Sequence, residues 1–218
     1  MNPLKAIIAL TTWKARITTC GLTIYNLLDQ CPGFHIVLCL SGDEFPNGEK
    51  ELPKDIRLLS KAGIVEILWV QKNYKSFKKW LFASLKYPDL PVISVDDDCI
   101  YICNFAERMY KEWVKHKTSV ITNKPNVVFG IELPCGCETL YPPLTKLRNA
   151  MRVLINRSEI IAAGNDDFCI GFILNMLCIP IIYTYCDYPI FHDDDVNGGN
   201  YVKDDKMLNL LRGVFYNE

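Results

Sequence analysis

Residues 91–98 have the sequence PVISVDDD, in which the apolar segment Val92 to Val95 runs directly into Asp96, Asp97 and Asp98. Apolar residues on both faces are typical of a strand buried in a parallel sheet. In open α/β sheets, ligands bind beyond the carboxyl ends of the strands, so we expect the three carboxylates at the mouth of a site.

This acidic cluster has two interpretations. Adjacent negative charges raise one another's pKa unless a cation or strong donors compensate, and carboxylate oxygens suit hard divalent cations. Because alternate residues of an extended segment point the same way, Asp96 and Asp98 are expected to act together, with Asp97 turned aside. The alternative is an acidic turn that caps the next helix, a role that seldom needs three aspartates against a buried strand.

Similar apolar runs recur along the chain, separated by segments with helical spacing. Further strands are predicted at Ala6 to Leu10, Ile36 to Leu40, Val65 to Val70, Val127 to Ile131 and Ile179 to Tyr185. Helices are predicted at Thr18 to Leu28, Phe77 to Leu85, Phe105 to Val114, Phe168 to Leu177 and in the tail after Tyr201. The alternation predicts an α/β fold, a mostly parallel sheet flanked by helices, in one domain over residues 1–218. Ser41 to Lys54 and Leu133 to Pro143 are predicted to be loops over the site.

The composition excludes several classes of protein. The formal net charge is -1, which gives no overall attraction to nucleic acid. The first residues lack the features of a secretory signal, and the longest apolar stretch, Ile170 to Cys186, is interrupted by Asn175 and Pro180, so no transmembrane segment is predicted. Most of the 10 cysteines lie in apolar runs and are expected to be reduced. We therefore expect a soluble, cytoplasmic protein.

Five sequence blocks in order resemble a known family. They are Ile8 to Ile17 (IALTTWKARI), Ser76 to Trp80 (SFKKW), Ser94 to Asp98 (SVDDD), Leu140 to Pro143 (LYPP) and the pair Asp166-Asp167. The chain resembles glycosyltransferases of the GT-A fold, and more narrowly the small glycan-building enzymes of bacteria and large viruses, including glycosyltransferase domains of chlorella-virus proteins that decorate the capsid. Viral origin would imply the host cytoplasm.

The resemblance implies a donor and a metal. In GT-A enzymes a D-x-D sequence holds Mn²⁺ or Mg²⁺ on the pyrophosphate of a nucleotide sugar, here a UDP-sugar, and the acceptor would be a glycan or glycoprotein. Asp96 and Asp98 are the implied metal ligands, with His192 from a carboxy-terminal loop as the third. Asp96 and Asp97 also belong to the implied pyrophosphate site.

The remaining donor contacts implied by the resemblance lie in the first and third helical regions. Thr11 and Thr12 would bond the base or ribose, and Arg16 would bind phosphate with its planar fork. Asp43, or the neighbouring Glu44, would accept the uracil N3 proton. The last three implied contacts are Ser76, Lys78 and Lys79, one of the lysines reaching a phosphate or the acidic cluster.

The second acidic pair, Asp166-Asp167, begins a predicted buried helix with Asn165 as its cap. Capping explains one polar residue there but not both carboxylates. In the family the matching pair faces the acceptor, and in inverting members one of the two is the general base, a role that we assign to Asp167 with Asp166 as acceptor binder. Inversion and retention both stay open, because both classes share D-x-D.

Three other functions compete with this prediction. A nucleotidyltransferase of sugar phosphates also binds nucleotides on an α/β sheet, but Leu10 to Ile17 lacks the usual glycine-rich loop. A non-catalytic glycan- or nucleotide-binding module would not need intact carboxylates at every expected position. A two-metal hydrolase would need more histidines than the 3 in this chain.

Overall fold

The central feature of the fold is a seven-stranded sheet with the order β10-β6-β9-β4-β1-β2-β3. It is seen in a computed structural model that describes residues 3–28, 33–123, 126–134, 136–184, 190–191 and 204–216. The strands of this sheet are β1 (Ala6–Thr11), β2 (Phe34–Ser41), β3 (Val65–Val70), β4 (Val92–Val95), β6 (Val120–Thr122), β9 (Glu138–Tyr141) and β10 (Ile181–Tyr183). Only β9 runs antiparallel to its neighbours, so the predicted α/β fold with a mostly parallel sheet is confirmed.

Helices cover both faces of the sheet. They are α1 (Cys20–Leu28), α2 (Lys54–Lys61), α3 (Phe77–Lys86), α4 (Phe105–Lys115), α5 (Thr145–Leu154), α6 (Ser158–Ala163), α7 (Asp166–Met176) and α8 (Asp204–Phe215). One apolar core lies between the sheet and α3, α5, α7 and α8, and the other lies on the face of α1, α2 and α4. Because both faces of β1 and β4 are covered, these strands are mostly apolar.

Two sequence predictions for the region after α4 were wrong. The predicted strand over 127–131 is a hairpin, β7 (Asn126–Val128) and β8 (Ile131–Leu133), with Phe129 and Gly130 in the turn. The predicted loop over 133–143 contains β9, a buried strand inside the sheet. Its polar residues hid it from the apolar pattern, since the hydroxyls of Thr139 and Thr122 bond each other and Glu138 accepts from Asn123.

The predicted cap of α7 and the predicted helix in the tail were confirmed. The side chain of Asn165 caps α7 by accepting a hydrogen bond of 3.1 Å from the amide of Phe168. In α8, Met207 and Leu211 are fully buried against the body. All cysteines in the described part of the chain are free thiols. No helix in that part is long and apolar enough to cross a membrane.

The small sheet of β5 (Cys99–Ile100) and β11 (Ile190–Phe191) follows the acidic cluster.

Candidate functional site

A cavity of about 360 Å³ lies at the carboxyl ends of β1, β2 and β4. This is the edge at which α/β folds place their ligands, and the volume suits a small-molecule site. Nine of the predicted site residues line it: Thr11, Thr12, Arg16, Ser76, Lys78, Lys79, Asp96, Asp97 and Asp98. Residues that are far apart in the sequence are therefore brought to one place.

Arg16 bridges two of the three aspartates. One of its terminal nitrogens donates to Asp97 at 2.5 Å and the other to Asp98 at 2.8 Å. Such charge-assisted bonds from a planar guanidinium are strong and fix the geometry of both carboxylates. Asp98 thus shares a cation with Asp97, whereas Asp96 pairs with Lys79.

Asp97 is the most deeply buried member of the cluster, with 3% of the residue exposed. Burial raises its pKa to about 6, although the nearby Thr12 hydroxyl and the Arg16 charge lower it, and the neighbouring aspartates raise it further. Within the described part of the chain, neither Asp97 Oδ2 nor Thr12 Oγ1 makes a hydrogen bond of regular geometry. These buried oxygens are suited to a ligand that brings donors or positive charge.

Lys79 joins the acidic cluster to the loop before β9. Its ammonium group forms an ion pair with Asp96 and donates to the carbonyl of Gly136 at 3.0 Å. Burial alone would lower the pKa of Lys79, but Asp96, Asp166 and Asp167 outweigh it and hold that pKa well above its ordinary value. The expectation that a lysine of this helix reaches the cluster is confirmed, and Lys79 is a permanent charge within it.

The second acidic pair lies beside the same lysine. Asp166 is buried and accepts a hydrogen bond of 2.6 Å from Ser76, a residue that lines the cavity. Burial raises the pKa of Asp166, while Lys79 and the Ser76 hydroxyl lower it. Asp167 is half-buried, and its carboxylate lies against the Cα of Gly136. Both carboxylates of the first turn of α7 therefore belong to the cavity's surroundings.

Lys78 and Glu44 form a second ion pair at the cavity, 3.0 Å long. Glu44 Oε2 also accepts from the Ser41 hydroxyl, whereas Oε1 receives no hydrogen bond from the described residues. Lys78 additionally donates to the Asn73 side chain at 2.8 Å. Glu44 Oε1 is therefore an acceptor beside the ammonium donor of Lys78. This pair suits the polar edge of a planar ring.

Two residues that were predicted to bind the nucleotide sugar each use a side-chain oxygen in a hydrogen bond within the protein. Asp43 does not line the cavity, and its carboxylate accepts from the backbone amide of Asn73 at 3.1 Å. The hydroxyl of Thr11 donates to the carbonyl of Cys39 at 2.7 Å, so this side chain ties β1 to β2. The geometry therefore favours Glu44 over Asp43 as the residue facing a base.

Three residues line the cavity that the sequence prediction did not assign: Trp13, Asn73 and Lys75. Trp13 is 44% exposed, so part of its ring is accessible at the cavity. Its position one residue after Thr12 was a usable signal. Lys75 has φ of 50° and its ammonium group bonds the carbonyl of Ala162, so it is held in a strained turn beside the site.

The donor set fits a hard divalent cation. Asp96 and Asp98 offer carboxylate oxygens, and Mg²⁺ is commonly held by one or two carboxylates together with substrate phosphates. The described residues contain no cluster of three or more side chains able to hold a metal on their own. Asp97 Oδ2 adds a buried acceptor without a regular hydrogen bond in that part of the chain. His192, the predicted third ligand, lies outside the described residues.

Known structures share this fold. A mannosyltransferase from Pyrobaculum calidifontis, solved in complex with GDP-Man and Mn²⁺, matches with a TM-score of 0.54 at 13% sequence identity, over 84% of this chain and 55% of that one. At this identity the likeness establishes the fold, and it agrees with the predicted GT-A architecture. No family model and no curated protein sequence matches the chain.

Two further structures match less well. GlyE of Streptococcus pneumoniae TIGR4, a glycosyltransferase, has a TM-score of 0.49 at 18% identity, over 83% of this chain and 45% of that one. GalNAc-T7, solved with UDP, GalNAc and Mn²⁺, has a TM-score of 0.42 at 17% identity, over 56% of this chain and 23% of that one. The chain therefore spans about half the length of the first two structures.

Proposed function

We propose that this chain is a metal-dependent glycosyltransferase that moves a sugar from a UDP-sugar to a hydroxyl group of a glycan or glycoprotein. The observation that carries the proposal is the cavity at the carboxyl ends of the parallel strands, where Asp96, Asp97 and Asp98 meet Arg16 and Lys79. A site that mixes several carboxylates with fixed cations suits a diphosphate accompanied by a divalent ion. The shared fold and the five sequence blocks support the same reaction.

The nucleoside would occupy the part of the cavity formed by Trp13, Glu44 and Lys78. The exposed Trp13 ring offers a face for stacking, and stacking on an aromatic ring tolerates any base. Glu44 Oε1 is an acceptor beside the ammonium donor of Lys78, the complement of the N3–H and adjacent carbonyl of uracil. UDP is therefore the proposed nucleotide of the donor, as the sequence resemblance also implies.

Sugar transfer requires charge neutralisation at the leaving nucleoside diphosphate. When bound, Mn²⁺ or Mg²⁺ on Asp96 and Asp98 would act as a Lewis acid on the pyrophosphate oxygens. Arg16 orients Asp97 and Asp98, and Lys79 holds Asp96 in place. Such preorganised charges stabilise the transition state without rearrangement during the reaction.

The acceptor hydroxyl would attack the anomeric carbon of the donor sugar and lose its proton to Asp167, while the bond from that carbon to the diphosphate oxygen breaks and UDP leaves. This carboxylate is half-buried, lies at the first turn of α7 and interacts electrostatically with the Lys79 ammonium group. Asp166, bonded to Ser76, would bind the acceptor or position the base. A role in capsid-protein or surface-polysaccharide glycosylation follows from the sequence resemblance, and a cytoplasmic location stays a sequence prediction.

Calorimetric titration of UDP and of GDP, each with and without Mn²⁺, tests this function. We expect UDP to bind only when Mn²⁺ is present, and GDP to bind more weakly or not at all. Mn²⁺-dependent binding of GDP alone would keep the reaction class and change the donor. If neither nucleotide binds with metal present, the proposed function is wrong.

A further inference from the structure

The β7–β8 hairpin has an exposed aromatic residue at its tip in an unfavourable backbone conformation. Phe129 has φ of 53° and Gly130 has φ of 75°, the arrangement of a two-residue turn with both central residues left-handed. Glycine, asparagine and aspartate suit the first of these positions, whereas a bulky residue with positive φ is an outlier. Phe129 is nevertheless 60% exposed, so burial of its ring does not explain its presence.

The tip of the hairpin lies near the end of α7 that carries the acidic pair. Further along α7, the backbone of Gly171 faces Leu133 and Glu132 so closely that a Cβ at Gly171 would lie 2.4 Å from Leu133 Cδ2. Phe129 instead meets Phe168, edge to face with ring centroids 6.5 Å apart. The hairpin therefore runs towards the first turn of α7 as it approaches its tip.

This end of α7 carries the two carboxylates that the proposed function assigns to the acceptor. Asp167, one residue before Phe168, lies against Gly136, and Asp166 bonds Ser76 at the cavity wall. Phe129 thus has an exposed apolar ring. The residue that it contacts, Phe168, is next in the sequence to Asp167, the candidate base. A backbone outlier at such a place is reason to look for a function.

We propose that Phe129 is the stacking platform for the sugar ring of the acceptor, which presents its hydroxyl to Asp167. The inference rests on the proposed function. The apolar C–H face of a pyranose would lie on the phenyl ring, whose faces carry no hydrogen-bonding group. The polar residue Asn126 is exposed on the same hairpin and suits the hydroxyl edge of a sugar rather than a lipid chain.

Phe129→Asn is the decisive variant, because asparagine accepts a positive φ and keeps the turn intact. Val127→Asn is the matched control, since Val127 is 58% exposed on the same hairpin but pairs with the outward-facing Glu132. Phe129→Tyr keeps an aromatic face. The probes are methyl glycosides of glucose, galactose, mannose and rhamnose, in which only the sugar ring is available for stacking.

Binding is measured by saturation-transfer NMR on the protein with Mn²⁺ and UDP. At least one glycoside should bind the wild-type protein, and Phe129→Asn should weaken it about fivefold or more, the factor for roughly 1 kcal/mol. Val127→Asn and Phe129→Tyr should retain the affinity, and thermal denaturation should show that Phe129→Asn is folded. Equal affinity in Phe129→Asn, an equal loss in Val127→Asn, or no binding to the wild type overturns the inference.

Failure of this inference is distinguishable from failure of the proposed function. Mn²⁺-dependent nucleotide binding is measured separately by calorimetry, and it does not involve the hairpin. If the protein binds nucleotide but Phe129→Asn binds glycosides as well as the wild type does, only the proposed role of Phe129 is contradicted. A protein that binds no nucleotide contradicts the proposed function itself.

Discussion

The carboxylate of Asp167 lies directly against the backbone of Gly136. A Cβ added at Gly136 would be 2.6 Å from Asp167 Oδ2, a distance that the two atoms cannot adopt without movement. The carbonyl of the same glycine accepts a hydrogen bond from Lys79. The loop before β9 therefore fixes the position of the candidate base, and only a residue without a side chain leaves the carboxylate where it is.

Gly136→Ala should displace the Asp167 carboxylate while leaving the donor site intact. We expect the transfer rate to fall by about 100-fold, the effect of a misplacement of roughly 1 Å in a catalytic group. Nucleotide affinity, measured by calorimetry, should change little. Gly42→Ala is the control, because its Cβ would make only ordinary contact, 3.4 Å from the carbonyl of Gln71. Full activity of Gly136→Ala would remove Asp167 from the mechanism.

Asp98→Asn tests the metal site. The substitution keeps the shape of the side chain but removes the charge that would hold a divalent cation, so Mn²⁺-dependent UDP binding should be lost and transfer should fall about 100-fold or more. Circular dichroism should show an unchanged fold. Asp89→Asn, at an exposed aspartate before β4, should behave as wild type. Full transfer by Asp98→Asn would contradict the metal assignment.

Lys79→Met tests the buried cation. Its removal leaves the carboxylate of Asp96 without its partner, next to Asp166 and Asp167, so both transfer and the melting temperature should fall, with transfer reduced roughly 100-fold. Adding Asp96→Asn to Lys79→Met should recover part of the melting temperature, because the unpaired charge is then gone.

The control for that experiment is Lys72→Met, at an exposed lysine of the same segment. It should change neither transfer nor stability. If the double substitution at Lys79 and Asp96 melts no higher than Lys79→Met alone, the two groups are not energetically coupled, and the assigned role of Lys79 fails.

Much of the fold follows from the sequence where a strand is apolar on both faces. β1 and β4 are covered by helices on each side, so most of their residues are apolar and only Ser94 and the terminal Thr11 are polar. β9 gives no such signal, because it buries polar groups that bond to Asn123 and Thr122. The hairpin turn was also missed, because the first central position of such a turn is normally asparagine, aspartate or glycine and is Phe129 in this chain.

The candidate site was likewise predicted only in part from the sequence. Motifs at the ends of strands identified most of the residues around the cavity, since carboxyl ends of parallel strands meet at one edge. The pairings between them were not predictable, because Arg16 lies 81 residues from Asp97 and no local pattern records their contact. The choice between Asp43 and Glu44 also required the structure, in which Glu44 lines the cavity and Asp43 does not.

Glu44→Gln and Asp43→Asn separate these two candidates for base recognition. Glu44 lines the cavity and has an acceptor oxygen free of hydrogen bonds from the described residues, so Glu44→Gln should weaken UDP about tenfold, the loss expected for a hydrogen bond to a charged group. Asp43→Asn should leave the affinity almost unchanged. The reverse order, measured by calorimetry, would return the role to Asp43.

Glu138 should make stability depend on pH. Burial raises its pKa from 4.5 to about 7, although the hydrogen bond from Asn123 and the charge of Arg108 lower it, and Oε1 has no hydrogen bond within the described part of the chain. The folded protein therefore favours the protonated carboxyl. Its contribution to the free energy of unfolding is fully present below the unfolded pKa and is lost as pH rises through about 7.

Glu138→Gln keeps the shape of this side chain and removes its titration. Between about pH 5 and about pH 8, the melting temperature of the wild type should fall relative to Glu138→Gln, by roughly 5 °C. The difference is measured by thermal denaturation at matched ionic strength, so that the other titrating groups cancel between the two proteins. Glu132→Gln, at an exposed glutamate of the hairpin, should follow the wild type at every pH. If the difference in melting temperature between wild type and Glu138→Gln does not change with pH, Glu138 ionises alike in the folded and unfolded chain. That result would contradict the raised pKa.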